Sequence, residues 1–303
     1  MSTIKRNSTD TMKDRKLPVI LSLPHGGFGI PAELEGRLAI TECDIYNDCD
    51  LWIGNLFDFG ELSANDAPSP DVLARVTTTV ARSLIDVNRE PNDLDNPDGP
   101  VKAHTSYGHS TCVEPLSLAE KKALVDQYWR PYHGALEAAW IEYGSEAKLF
   151  LDCHNMAQTG PTAYGDSGAQ RPLICLANLG AAGGSALPGH ATSCSPDYIQ
   201  RAAAAAEEVF AGLTLLEPLP GPPPPTIAIN VPYNGGYILR RYAELRAQYA
   251  LPPGLMIEFN RGLYVGNQNA TSAVAPPNVE QIEPLRARIL EWLLRIVDLA
   301  RAE

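Results

Sequence analysis

Basic residues are scarce in this 303-residue chain: 24 Lys and Arg stand against 36 Asp and Glu, a formal net charge of −12. Nucleic acids and anionic membrane surfaces are held by basic patches that displace counterions, so neither is an expected partner. A small anionic substrate remains compatible with that charge, provided a few arginines gather locally. Six cysteines, at 43, 49, 112, 153, 175 and 194, include no CxxC pair. That argues against a disulfide framework or a cysteine-rich zinc site, and for reduced thiols in a cytoplasmic protein. No run approaches the roughly 20 apolar residues that span a bilayer. The opening MSTIKRNSTDTMKDRK has no apolar centre, so it is not a signal peptide, and 1–16 is expected to be a mobile leader. There is no repeat of fixed period and no HExxH zinc signature.

With 45% hydrophobic and 20% charged residues, the composition is that of an ordinary globular protein. A chain of this length buries roughly three quarters of its unfolded surface. Apolar runs read as strands at Pro18 to Leu23, within Val72 to Asn88, at Leu149 to Leu151, Leu173 to Ala177, Thr226 to Asn230 and Leu255 to Ile257. Helices are predicted from Thr41 to Phe59, from a Ser117–Glu120 capping box to about Tyr143 with a kink at Pro131, from Asp197 to Phe210, up to Tyr249, and from Val279 to Arg301. Such alternation predicts one α/β domain over 17–303, its mixed, mostly parallel sheet flanked by helices on both faces. The proline-rich stretch 218–225 reads as a stiff connection inside that domain. His133, on a stripe with Trp129, Leu136 and Trp140, reads as a packed core histidine.

Four apolar segments end in chemical groups: His25, Asp86-x-Asn88-Arg89, Asp152-x-His154 and Glu258. Buried strands do not otherwise need polar tips of this kind, and the C-terminal edge of an α/β sheet is where ligands and catalytic groups collect. Asp152 and His154 alternate onto one face, so His154 is a candidate metal ligand while Cys153 points away. A catalytic zinc takes three His or carboxylate ligands and leaves a position for water. A nearby carboxylate then moves protons. Asp86 suits a hydrogen bond to the far nitrogen of a ligating histidine, and Arg89 with Asn88 offers a planar fork for a substrate carboxylate. The plainer alternative for Asp86 and Arg89 is a mutual ion pair.

In their order along the chain these parts resemble the zinc carboxypeptidases and aspartoacylases. More closely, Pro24-His25-Gly26-Gly27, Asp48-Cys49-Asp50-Leu51-Trp52, Arg82 to Arg89, Asp152-Cys153-His154, Asn230 to Tyr237 and Glu258-Phe259-Asn260 resemble the N-formylglutamate amidohydrolase family. The resemblance implies metal-dependent hydrolysis that releases formate from N-formyl-L-glutamate, within histidine degradation. It implies Zn2+ or another divalent metal, and Glu258 as general base. The His-x-x-Glu pair of the wider superfamily is absent, because position 28 is Phe. The remaining ligand is assigned to Asp50, with Asp48, Glu33 and Asp152 as alternatives; on a helix Asp48 and Asp50 would lie about 200° apart, so only one of them can face His25. On this reading His25, Asp50 and His154 hold the metal, Asp86 orients His25, and Asn88 and Arg89 grip the substrate carboxylate. Arg82, Asn230, Tyr233 and Tyr237 line the pocket. A deacylase or carboxypeptidase-like enzyme acting on another N-acyl amino acid or peptide is the alternative. The sequence is also compatible with a homo-oligomer.

Overall fold

A computed structural model describes residues 16–62 and 71–300. The expected leader lies, except for Lys16, outside the described residues. Six strands, β1 (Leu17–Leu23), β2 (Val72–Thr77), β3 (Leu149–Met156), β4 (Ile174–Ala177), β5 (Ile227–Ile229) and β6 (Gly254–Asn260), form one sheet in the order β2-β1-β3-β6-β4-β5. Every neighbouring pair is parallel except β4 with β6. The mixed, mostly parallel sheet expected from the strand and helix alternation is therefore present. β3 and β6 lie at its centre and are buried along their whole length, which is why both read as continuous apolar runs.

The helices are α1 (Glu42–Asp48), α2 (Ile53–Leu56), α3 (Leu118–Leu124), α4 (Arg130–Tyr143), α5 (Pro196–Val209), α6 (Tyr237–Tyr249) and α7 (Val279–Leu299). Alternate residues of the central strands enter two separate cores. Leu21, Leu151, Cys153 and Ile257 pack with Leu56 of α2, Ile199 and Ala202 of α5, and Ile289 and Trp292 of α7. Ile20, Phe150 and Met256 pack with Leu124 of α3, Leu136 and Trp140 of α4, and Ile238 and Tyr242 of α6. Helices therefore cover both faces.

Two local departures matter. The stretch predicted as one helix from Thr41 to Phe59 breaks after a single capped segment. Thr41 and Asp44 cap each other reciprocally at its start, but Cys49 is extended (φ −81, ψ 161) and Trp52 is left-handed (φ 56). The angular argument about Asp48 and Asp50 therefore does not apply, because Asp50 lies beyond the helix. In the long helical stretch, Pro131 sits at the start of α4, directly after a π turn at Val125–Trp129. A proline cannot donate to, and sterically crowds, the carbonyl four residues back. The wider turn absorbs this where a kink was expected.

Candidate active site

The face that carries Ile20, Phe150 and Met256 changes character toward the C-terminal ends of its strands. Ser22 pairs with Asp152 across β1 and β3, and His154 pairs with Glu258 across β3 and β6. Directly paired residues share a face, so the apolar core grades within two residues into a row of polar groups. Ser22 Oγ donates to Asp152 Oδ1 at 2.7 Å, and the other carboxylate oxygen of Asp152 lies 3.1 Å from His154 Nε2.

His25 follows β1 at the same edge. A Cβ on Gly27 would collide with the Thr79 carbonyl, so glycine there lets the segment after β2 pass close by. That segment delivers Asp86, whose Oδ1 accepts from His25 Nε2 at 2.8 Å. The His25 ring is thereby fixed by a carboxylate on Nε2, and His154 Nε2 lies 3.1 Å from Asp152 Oδ2 and 3.5 Å from Asn88 Nδ2, so both Nδ1 atoms face inward. These Nδ1 atoms are 3.1 Å apart. Asp50 enters from the break after α1, its N–H donating to the His25 carbonyl. Its Oδ2 lies 3.2 Å from His154 Nδ1 and 3.5 Å from His25 Nδ1. Three lone-pair atoms thus form a triangle with edges of 3.1 to 3.5 Å. Ligands about 2.0–2.1 Å from a tetrahedral zinc lie roughly 3.3 Å from one another, so the donor set fits such an ion.

Charge around this triangle is finely divided. Burial opposes ionisation of Asp50, but His25 and His154 outweigh it and hold the carboxyl below its usual range. Burial likewise opposes a charged His154, yet Asp152 and Asp50 push that ring well above the ordinary histidine value. Glu258 differs. Its burial dominates and raises it to about 7, poised between holding and releasing a proton.

Next to the triangle is a cavity of about 510 Å³, lined by Arg82, Asn88, Arg89, Tyr233 and Glu258, together with Tyr164, Asp166 and Gly236. Asn88 is held by three backbone contacts: its N–H donates to Asp86 Oδ1, its Oδ1 accepts from Ile238 N, and its carbonyl accepts from Tyr237 N. A Cβ on Gly236 would collide with the Asn88 carboxamide, so glycine is required at the start of α6. Arg82, Arg89 and Lys102 all approach Asp86 Oδ2, at 3.5, 3.5 and 3.3 Å. Although Asp86 is fully enclosed, Arg89, His25 and Lys102 keep it well below the usual carboxylate range. The Asp86–Arg89 ion pair and a place on the pocket wall are therefore both realised.

Two residues expected in the pocket are elsewhere. Asn230 (φ 58) donates through Nδ2 to Asn178 Oδ1 and the Ala181 carbonyl, and accepts from Asn178 N, so its side chain holds a loop together. Tyr237, the first residue of α6, packs edge-on against Trp129 and His133. Of the alternative ligands, Glu33 accepts from Tyr128 on the surface, and Asp48 accepts from Ser106 N. Asp152 stands behind His154 without entering the triangle. Its alternation with His154 was legible in the sequence. Tyr164 and Asp166 carried no sequence signal, being irregular loop residues. Arg82 donates to the Tyr164 hydroxyl at 3.3 Å; burial resists ionisation of that phenol, but Arg82, Lys102 and Arg89 hold it below its usual range.

Fold and site together define an α/β protein with a His-Asp-His cluster, suited to a metal ion, at the C-terminal edge of its central strands. The family model for N-formylglutamate amidohydrolase matches residues 17–265, and the chain belongs to that family. It is 27% identical over 242 residues to an N-formylglutamate deformylase of Pseudomonas putida, covering 76% of each chain. Its fold is similar to the crystal structure of N-formylglutamate amidohydrolase from Ralstonia eutropha JMP134, with a TM-score of 0.65, 20% identity and 95% of each chain covered.

Proposed function

We propose that this chain is a metal-dependent amidohydrolase that converts N-formyl-L-glutamate, or a closely similar N-acyl amino acid, to formate and the free amino acid. The observation that carries this reading is the convergence of His25, Asp50 and His154, whose donor atoms all lie within 4.8 Å of one another. A divalent ion held by them supplies Lewis acidity, polarising a carbonyl and easing the ionisation of water. Zinc suits the two nitrogens and one oxygen, which also accept other divalent ions.

The chain's own residues do the rest. Asp86 accepts from His25 Nε2, and Asp152 stands 3.1 Å from His154 Nε2 as its charge partner, so that each ring keeps Nδ1 turned inward. Glu258 takes a proton from the attacking water and passes it to the departing nitrogen, for which a carboxyl titrating near neutrality is well matched. Arg89 and Asn88 bind the substrate carboxylate, and Arg82 presents further donors to the same cavity. The activity is assigned to the cytoplasm within histidine degradation, with 17–303 acting as one domain. No helix among the described residues is long and apolar enough to cross a membrane.

The test is a panel of N-formyl, N-acetyl and peptide substrates, assayed before and after chelation alongside elemental analysis. Formate release that disappears with the metal is expected. Turnover untouched by complete chelation, or confined to other acyl groups, would replace this assignment.

A further inference from the structure

The segment 90–116, rich in Pro, Asp, Asn and Gly, enters the chemistry above only through Lys102, yet one end of it is built against the site. Asn96-Pro97-Asp98-Gly99-Pro100 forms a tight turn: Asp98 N donates to Asn96 Oδ1 at 2.9 Å and Gly99 N to the Asn96 carbonyl at 3.0 Å. Two prolines with fixed φ stiffen it. The chain then runs back antiparallel to Leu84–Asp86, with Asp86 N donating to the Pro100 carbonyl and Lys102 N to that of Leu84. This return places Asp98 against Arg89 and the buried Lys102 against Asp86.

The side chains close a ring of alternating charge. Asp86 meets Arg89 Nη1 at 3.5 Å, Arg89 meets Asp98, Asp98 meets Lys102, and Lys102 returns to Asp86 at 3.3 Å. Asp98 takes one edge of the Arg89 guanidinium: Nε donates to its backbone carbonyl at 3.1 Å and to Oδ2 at 3.3 Å, and Nη2 donates to Oδ2 at 3.0 Å. Asp98 does not line the cavity, and its side chain is 62% exposed, whereas Arg89 does line it. The aspartate therefore holds the Nε–Nη2 edge of the guanidinium from outside, while Nη1 donates to the Asn88 carbonyl at 3.4 Å beside Asp86, and the side chain so fixed lines the pocket.

We propose that Asp98, backed by Lys102, is a positioning residue that preorganises Arg89 for an anionic substrate and so contributes to selectivity for carboxylate-bearing N-acyl amino acids. The inference rests on Arg89 being the carboxylate clamp. Ordering one long side chain before binding is worth up to about tenfold in affinity, ~1.4 kcal/mol. Because Asp98 also partners the buried Lys102, the readout is the ratio between charged and uncharged substrates, which a loss of stability does not move.

The experiment compares the metal-loaded wild type with Asp98→Asn, Asp98→Glu and Arg89→Gln. Kinetics are measured on N-formyl-L-glutamate and on its uncharged diamide, in which both carboxylates are carboxamides, and glutarate binding is measured by calorimetry. In Asp98→Asn, kcat/KM for the carboxylate substrate should fall about tenfold more than for the diamide, with the loss in KM, and glutarate should weaken in parallel. Asp98→Glu should recover part of both. An unchanged selectivity ratio, or tighter glutarate binding because the aspartate had been competing for Arg89, overturns the proposal. Equal glutarate binding by Arg89→Gln overturns the clamp on which it rests. If the wild type turns over no N-formyl amino acid, the proposed activity fails, while the glutarate titrations still decide the role of Asp98.

Discussion

Three buried histidines lie on the same side of the sheet, and two of them differ from the third in kind. His25, His154 and His133 are 4%, 2% and 5% exposed, and each meets an oxygen at Nε2. For His133 that oxygen is the Val87 carbonyl, and the ring lies flat on Trp129 at a centroid distance of 3.7 Å. For His25 and His154 it is a carboxylate, and the second nitrogens meet at 3.1 Å beside Asp50. The environments act in opposite directions. Burial, only partly offset by the Val87 carbonyl, Glu137 and Asp152, pushes His133 down to about 4, whereas the acids around His154 lift it against its burial. A buried, hydrogen-bonded imidazole is thus not in itself a metal ligand; convergence of a second lone pair on a shared point is what separates the two classes.

The contrast can be broken most severely by removing a converging nitrogen. His154→Ala should abolish both stoichiometric metal and turnover, whereas His133→Gln should retain metal; elemental analysis of the two purified variants decides. Glu258→Gln should lower kcat by about 10²–10⁴-fold with the metal still bound, which separates proton transfer from ligation. Loss of the ion in that variant would move Glu258 into the ligand set. Asp86→Asn and Asp152→Asn should each weaken metal affinity about 10–100-fold, read by competition with a chelator, because each frees one imidazole to turn. An effect for only one of them would show that the two histidines are not held equivalently.

The smallest effect concerns His133 itself. Its folded value of about 4 lies below the ordinary 6.5, so between those values the unfolded chain binds the extra proton. The neutral ring's contribution is complete above pH 6.5 and is lost as the pH falls toward 4. A span of this size corresponds to at most about 3 kcal/mol. His133→Gln keeps a donor for Val87 but cannot be protonated, so its denaturant midpoint should fall less than that of the wild type across this window. Parallel curves would show that the ring is not held neutral.

The site was only partly legible before folding. His25, His154 and Glu258 stood out because a polar group closing an apolar run is visible within a few residues. Asp50 was assigned ahead of Asp48, Glu33 and Asp152 and does meet the two histidines, but without local support, since its position depends on α1 ending at Asp48, where propensity alone would have continued the helix. Asn230 and Tyr237 were misplaced for a related reason: their hydrogen-bonding and aromatic character is the same whether they serve a pocket, a loop or a core. Tyr164, Asp98 and Lys102 belong to irregular segments, where direction depends on long-range packing.

Local chemistry alone therefore determined that this chain builds a parallel-rich sheet whose strand tips carry imidazole and carboxylate, because side-chain alternation and apolar runs are properties of neighbouring residues. Tertiary structure decided which groups meet. Asp50 and His154, 104 positions apart, become neighbours only through the strand order β1-β3-β6 and the exit of the chain from α1. No short window of sequence encodes that registry, since it is set by how two separate cores close on the two faces of one sheet.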